Sequence, residues 1–386
     1  MNKIILFLLF VSTSATAQSI KFIDNDWNKA RAEARQQNKY LFVDAYTDWC
    51  SWCKVMDKET FPNADVANMM NNNFVALKLE MEHNYGVNVA MKYRVSGFPS
   101  FLIFTPDGKL VRKIAGYLPA EQFMQELKKT LNTGDYPVLA GISETVDLDF
   151  PDFYRASFAG KGKRVNPTAE AVNGFLAKQK DWFAEVNYSV ATRFASLLTA
   201  ENRQALFNNR VQYEKLFGAE EFNDVVGSIR YKMLMDAVKN KSEKELEATV
   251  AFTKEQYKNA DDITEISLRI NFYKGTENWA KMAEQVDLYT AKKGFPSDQM
   301  NDWAWNVYEN CNDAAVVKKA IGWMRPVIEE KTEYATMDTY AALLYKDKQY
   351  GEAKDYATKA IELGKAAGQK TTETESLLKK ILEATN

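Results

Sequence analysis

Two cysteines three residues apart, Cys50 and Cys53, are the residues of this chain whose type and spacing most directly suggest chemistry. They lie where an apolar and aromatic run, Tyr40 to Tyr46, gives way to a segment that reads as helix. A cysteine at the start of a helix turns its sulfur towards unpaired backbone N–H groups and the positive end of the helix dipole. That environment favours thiolate over thiol and lowers the thiol pKa from its ordinary value of about 8.5. The thiolate is the species that attacks disulfides. A second thiol one turn on can attack the mixed disulfide so formed, so the spacing makes Cys50 the nucleophile and Cys53 the resolving thiol. Two blander readings compete, a fixed structural bridge and half of a zinc site. Zinc needs four ligands, and the other soft candidates, Cys311 and His83, are distant in sequence. A bridge across so short a loop adds little stability through chain entropy.

The elements that must hold this pair can be read from the flanking pattern. Residues 24–37 open on Asp and carry Ala, Arg and Gln, which predicts a helix. Tyr40–Tyr46 is a buried strand with one acid, Asp44, inside it. Residues 63–72 read as helix, 74–80 as strand, 86–94 as helix and 100–105 as strand. Pro106-Asp107-Gly108 is a turn signal, and 109–115 completes a hairpin. Residues 119–131 form an amphipathic helix with proline at its first turn. Alternation of this kind predicts an α/β unit, a mixed sheet flanked by helices.

The rest of the chain has a different character. From residue 133 to 167, glycines and prolines interrupt the pattern, which reads as a linker and packing segment. From 168 to 386 the pattern is helical, cut by breaks such as Gly218, Gly275-Thr276, Gly294–Pro296 and Asp347–Gln349. Short breaks between helices predict antiparallel hairpins, and therefore an all-α domain of stacked helical hairpins. Met337 to Leu363 resembles one tetratricopeptide unit, with alanines where two helices approach closely. Residues 303–328 read as a poorer copy. Trp279, Trp303, Trp305, Trp323, Tyr340 and Tyr345 read as inter-helix core. Cys311 reads as a buried free cysteine at an apolar helix position.

Bulk properties restrict the function class. Of 386 residues, 46% are hydrophobic and 26% charged, with a formal net charge of −2 and no basic stripe, which argues against nucleic acid as the partner. Residues 1–17 read as a signal peptide: Lys3, an apolar run Ile4–Val11, and Ala15-Thr16-Ala17 before Gln18. Eight apolar residues are too few to cross a ~30 Å hydrocarbon layer as a helix. The expectation is an exported protein that is not integral to the membrane, in which a disulfide is permitted.

The segment Leu41 to Lys54, with its Trp49-Cys50-Ser51-Trp52-Cys53 core, resembles the active-site segment of the thioredoxin superfamily. Further features fall where that family places them. Asp44 matches its buried acid, Lys78 the lysine partner of that acid, Phe98-Pro99 its cis-proline loop, and Gly116 the glycine after the last hairpin. The resemblance spans about residues 20–132 and is nearest in style to exported thioredoxin-like domains of bacterial periplasmic reductant systems. It implies that Asp44 accepts a proton from Cys53, tuned by Lys78, and that Trp49, Trp52, Phe98 and Pro99 meet the substrate. The dipeptide Ser51-Trp52 departs from the Gly-Pro of cytosolic thioredoxins and from the Pro-His or Gly-His of strong oxidants, and no neighbouring His or Arg is evident. These features point to reductase or isomerase-like behaviour, with reductase the expected activity.

Four regions follow: a signal peptide (1–17), a thioredoxin-like domain (18–132), the linker and packing segment (133–167) and a tetratricopeptide-like domain (168–386). The expected activity is exchange with protein thiols or disulfides, in the periplasm of a Gram-negative bacterium, fed by an upstream redox partner in the envelope. The helical domain would bind substrate or partner, and no cofactor or metal is required. The competing expectation is an interaction scaffold whose Cys50–Cys53 bridge is only structural.

Overall fold

The computed structural model describes residues 19–132, 139–257 and 260–385; the expected signal peptide lies outside them. The chain divides into two compact units, Met1–Val225 and Val226–Asn386.

The first unit is built on a five-stranded sheet of order β1-β3-β2-β4-β5. Its strands are β1 (Phe22–Asp24), β2 (Tyr40–Tyr46), β3 (Phe74–Glu80), β4 (Ser100–Phe104) and β5 (Leu110–Ala115). β3 runs parallel to β1 and β2, while β4 is antiparallel to both β2 and β5. The sheet is therefore mixed, as expected. Its edge strand β1 was not anticipated, because three residues are too few to show an alternating pattern. Helices α1 (Trp27–Gln37), α2 (Ser51–Val55), α3 (Ala64–Asn73), α4 (Asn84–Tyr93) and α5 (Ala120–Asn132) complete this part.

Local chemistry explains the boundaries. The Asp26 side chain accepts the Lys29 N–H at 2.9 Å and starts α1 two residues after β1 ends. Asn38 ends that helix with a φ of 51°, a left-handed turn that Asn tolerates. β2 is the central strand, so both of its faces are covered and it reads as a continuous apolar run. Phe42, fully buried, stacks on Phe101 at 5.4 Å and meets the Phe123 edge at 5.7 Å. Truncating such a ring to Ala costs roughly 3–5 kcal/mol.

Beyond residue 138 the same unit adds α6 (Asp152–Ala156), α7 (Ala169–Leu176), α8 (Glu185–Arg193), α9 (Ala200–Asn208), α10 (Arg210–Phe217) and the start of α11 (Ala219–Asn240). The expected linker and packing segment contributes buried Val146, Phe150, Tyr154 and Phe158. Buried polar contacts tie these helices to the end of α4. The Tyr154 hydroxyl donates to the Met91 carbonyl at 2.8 Å, and the fully buried Lys92 ammonium donates to Glu185 at 2.7 Å. Arg94 pairs with Glu221, which also accepts from Lys113 at 3.1 Å. Burial pushes the Glu221 carboxyl up, but these two cations outweigh it and hold the group below the usual range.

The second unit is helical. It contains the rest of α11, then α12 (Glu243–Gln256), α13 (Asp262–Gly275), α14 (Trp279–Lys293), α15 (Ser297–Asn310), α16 (Ala314–Glu330), α17 (Tyr334–Lys346), α18 (Tyr350–Ala366) and α19 (Thr372–Thr385). α13 packs on α14, α15 on α16 and α17 on α18, which are the hairpins expected from the short breaks. Ala341, Ala342, Ala353, Ala357 and Ala360 are buried where α17 and α18 close on each other. Trp303, Trp323 and Tyr340 are buried in the core, with Trp279, Trp305 and Tyr345 packed against it. Cys311 is fully buried and free, but it follows the last residue of α15 instead of sitting within a helix.

Candidate active site

The central strand β2 delivers the chain to the site. After Tyr46 the backbone turns, and the Cys50 N–H donates to the Thr47 carbonyl at 3.0 Å. Cys50 then stands at the cap position of α2, where its Sγ accepts the Cys53 N–H at 3.0 Å. This is the contact expected of a sulfur placed to be held as thiolate. Cys50 and Cys53 are joined as a disulfide, the oxidised form of the pair. A turn of π-helix, Met56–Thr60, continues α2 and places Asp57 on the side of Lys78.

Asp44 lies in β2, the strand that leads to the pair, opposite Lys78 of β3 in the ladder. It is almost completely buried, and its Oδ1 has no hydrogen-bond partner. Burial pushes its carboxyl up to about 7, against the pull of the Lys78 charge. The Lys78 ammonium is 3.7 Å from Asp44 Oδ2. Its closer partner is Asp57, which was not foreseen from the sequence. The rings of Phe22, Tyr46 and Phe61 surround that ammonium at 5.5, 5.6 and 5.7 Å. A carboxyl that titrates near neutral pH and has a free oxygen is suited to move a proton.

The rim is aromatic. Trp49 and Trp52 are 41% and 56% exposed, unusual for side chains of this size. The Trp49 ring meets Phe98 edge-on at 5.9 Å, and Trp52 lies 5.3 Å from Tyr117. The Tyr117 hydroxyl donates to Glu59 at 3.0 Å. Phe98–Pro99 is a cis peptide bond, and the Pro99 carbonyl accepts the Gly116 N–H at 2.9 Å.

One acidic side chain organises the outer edge of this rim. Glu82 accepts the Trp49 indole N–H at 2.9 Å, the Lys161 backbone N–H at 3.1 Å and Arg164 at 2.9 Å. Partial burial pushes this carboxyl up, but the three donors outweigh it and hold the group low. The Lys161 ammonium lies over the Trp49 ring, 4.7 Å from its centroid. Neither Glu82 nor the 160–164 turn carried a motif that sequence reasoning could use. His83, weighed as a soft ligand, is an exposed residue preceding α4. Among the described residues no group of three or more His, Cys, Asp or Glu side chains could hold a metal ion.

The segment that carries this geometry is similar to known proteins. A family model described as a thioredoxin-like domain matches residues 27–131. Residues 27–131 are a thioredoxin-like domain. Two proteins named thiol:disulfide interchange protein DsbD are similar to part of this chain. The protein of Pseudoalteromonas atlantica is 31% identical over 116 residues, covering 29% of this chain and 19% of its own length. That of Colwellia psychrerythraea is 33% identical over 101 residues, covering 25% and 16%. The chain thus spans under a fifth of these relatives. A thioredoxin from Thermus thermophilus, solved in solution, is 24% identical with a TM-score of 0.28, covering 30% of this chain and 90% of that one. The thioredoxin-like domain contains every residue to which sequence reasoning gave a chemical role, and the helical C-terminal region lies outside the residues that the family model matches.

Proposed function

We propose that this chain is an exported thiol–disulfide oxidoreductase that reduces disulfides in proteins through Cys50 and Cys53. The observation that carries the reading is the combination of a cysteine pair at a helix N-terminus with a buried acid, raised to about 7, in the strand that leads to it. The names of the interchange proteins to which part of this chain is similar support it. Export rests on the reading of residues 1–17.

In the reduced protein the Cys50 thiolate attacks one sulfur of a substrate disulfide. A Cys50–substrate bond forms, and the other substrate sulfur leaves as thiolate and takes up a proton. Cys53 then gives its proton to the Asp44 carboxylate and attacks Cys50 Sγ. The Cys50–Cys53 bond forms, and the second substrate sulfur leaves as a thiol. Two electrons pass to the substrate, and an upstream dithiol in the envelope must return them. Lys78 limits how far the Asp44 carboxyl is raised. Trp49, Trp52, Phe98 and Pro99 form the surface against which the substrate chain lies. The stacked helical hairpins hold the substrate or the upstream partner, as such arrays commonly do.

The deciding measurement is the reduction potential of the Cys50–Cys53 pair in a Cys311→Ser background, by equilibration in glutathione buffers. A value near thioredoxin's, about −270 mV, is expected. A value near the roughly −120 mV of strong oxidants would make the protein a disulfide donor. A pair well below about −300 mV that glutathione does not reduce would favour a fixed bridge and a scaffold role.

A further inference from the structure

Outside the thioredoxin-like domain, one segment returns to the rim of the cysteine pair. Residues 160–164, Gly-Lys-Gly-Lys-Arg, form a tight turn after α6. The Lys163 N–H donates to the Gly160 carbonyl at 2.9 Å, and the Val165 N–H donates to the Ala156 carbonyl at 3.1 Å. Gly162 sits at a φ of 80°, a conformation that disfavours a side chain. The turn is fastened to Glu82 twice, by the Lys161 N–H and the Arg164 guanidinium. Glu82 is also the group that holds the Trp49 indole, one residue from Cys50. The turn and the reactive rim therefore share one anchor.

The charges on this turn do not cancel. Arg164 is matched by Glu82. Among the described residues, neither Lys161 nor Lys163 has a carboxylate within ion-pair distance. Lys161 instead lies on the face of Trp49, where a ring quadrupole holds a cation weakly at an exposed site, by about 0.5–1 kcal/mol. Lys163 is exposed. Beside Cys50, the Trp49 ring thus meets Phe98 and carries the Lys161 ammonium over it.

We propose that the 160–164 turn is a specificity element that selects protein disulfides flanked by acidic residues. The proposal rests on the reading of Cys50 and Cys53 as an exchange site. A substrate chain lying across Trp49 and Phe98 carries its neighbouring side chains past Lys161 and Lys163. A carboxylate there gains the charge of two ammonium groups that no carboxylate among the described residues pairs with, whereas a lysine meets repulsion. Complementary charge at a rim of this kind acts mainly on association and is weakened by salt.

The test uses the full chain, reduced, with three disulfide-linked peptides that differ only in Glu, Gln or Lys beside the attacked cysteine. The ratio of kcat/KM for the Glu peptide over the Lys peptide is the readout, compared among wild type, Lys163→Glu and Lys161→Glu/Lys163→Glu. A wild-type preference of about fivefold is expected from two exposed charge pairs. It should fall towards parity in Lys163→Glu, invert in the double variant and shrink at high salt. Lys163→Glu keeps the test clear of damage to the turn, because its ammonium makes no ion pair among the described residues. The same ratio in all three proteins, or no preference in wild type, overturns the proposal. A wild type no faster than Cys50→Ala on every peptide would instead overturn the exchange reading on which it rests.

Discussion

Cys50 and Cys311 are almost equally hidden from solvent, at 3% and 0% exposure, yet their surroundings are opposite. Cys50 stands at the N-terminal end of α2, and its sulfur receives a backbone N–H. Cys311 stands at the C-terminal end of α15, where the exposed groups are carbonyls and the helix dipole is negative. Its Sγ lies 4.0 Å from the Asp313 carbonyl oxygen, and burial pushes its thiol up. Beside Cys50 stand the exposed rings of Trp49 and Trp52, and the strand that leads to it holds a buried carboxyl raised to about 7. Cys311 packs in the apolar core, where burial is the largest effect on its thiol and the Asp313 and Lys346 charges act on it in opposite directions. Burial alone does not make a cysteine inert or reactive. The end of the helix on which it sits separates the two.

The largest effect that could break this contrast comes from the cysteines themselves. Cys50→Ala should lower disulfide exchange by about a thousandfold or more, since the nucleophile is lost. Cys53→Ala should trap a mixed disulfide with substrate, detectable as a covalent adduct by mass spectrometry. Exchange in Cys50→Ala at the wild-type rate would erase the distinction between the two regions.

Next in size is Asp44→Asn. Removing a proton acceptor should slow resolution of the mixed disulfide by roughly a hundredfold, and the pH dependence near 7 should disappear from the rate. The same variant has a stability signature of fixed sign. The folded pKa, about 7, lies above the ordinary 3.8, so the folded state binds the proton more tightly. Wild type therefore loses stability as pH rises from about 4 to about 7, and the penalty is complete above that window. At alkaline pH, Asp44→Asn should be more stable than wild type by up to about 4 kcal/mol, the linkage value of a shift from 3.8 to about 7. Below pH 4 the gain should vanish. Denaturant titrations at three pH values read this directly, and a constant difference would contradict the assignment of burial as the cause.

Much of this site was legible beforehand, for reasons that particular residues make plain. Cys50, Cys53, Asp44, Lys78 and Pro99 lie in or beside elements whose apolar runs are strong and whose turns carry Pro and Gly. What escaped was set by chain reversal over long distances. Glu82 meets Lys161 and Arg164 across 79 and 82 residues, through a turn whose composition reads only as loop. The pairing of Lys78 with Asp57 depends on a π-helical turn that no residue pattern announces. The end of α15 was missed because Cys311-Asn312 contains neither Gly nor Pro. A signal was present all the same, since Asp313 caps α16 by accepting the Ala315 N–H at 2.8 Å.

A smaller effect is expected at the anchor of the rim. Glu82→Ala removes the acceptor for Trp49, Lys161 and Arg164 together. The Lys161 amide should lose hydrogen-exchange protection by about tenfold, corresponding to one net hydrogen bond of about 1–1.5 kcal/mol. Exchange activity should fall only a few-fold, because Trp49 would keep its contact with Phe98. Unchanged protection at Lys161 would show that the turn is held from elsewhere.

The smallest effects belong to Cys311, and they test the other half of the contrast. If this thiol only fills space, Cys311→Ala should leave disulfide exchange and the Cys50–Cys53 potential unchanged. It should cost about 1 kcal/mol of stability, because it removes one buried heavy atom from the space between α15 and α16. Cys311→Ser should cost more than Ala, by about 1 kcal/mol, for a different reason. It buries a hydroxyl whose acceptor in reach, the Asp313 carbonyl, is 4.0 Å from the present sulfur, beyond good hydrogen-bonding distance. The order Ala above Ser is therefore a statement about polarity and not about size, since Ser is the nearer match in shape. The reverse order, measured by denaturant unfolding, would mean that the site accommodates a polar group. Cys311 would then be a poorer example of an apolar, unreactive thiol than its complete burial suggests.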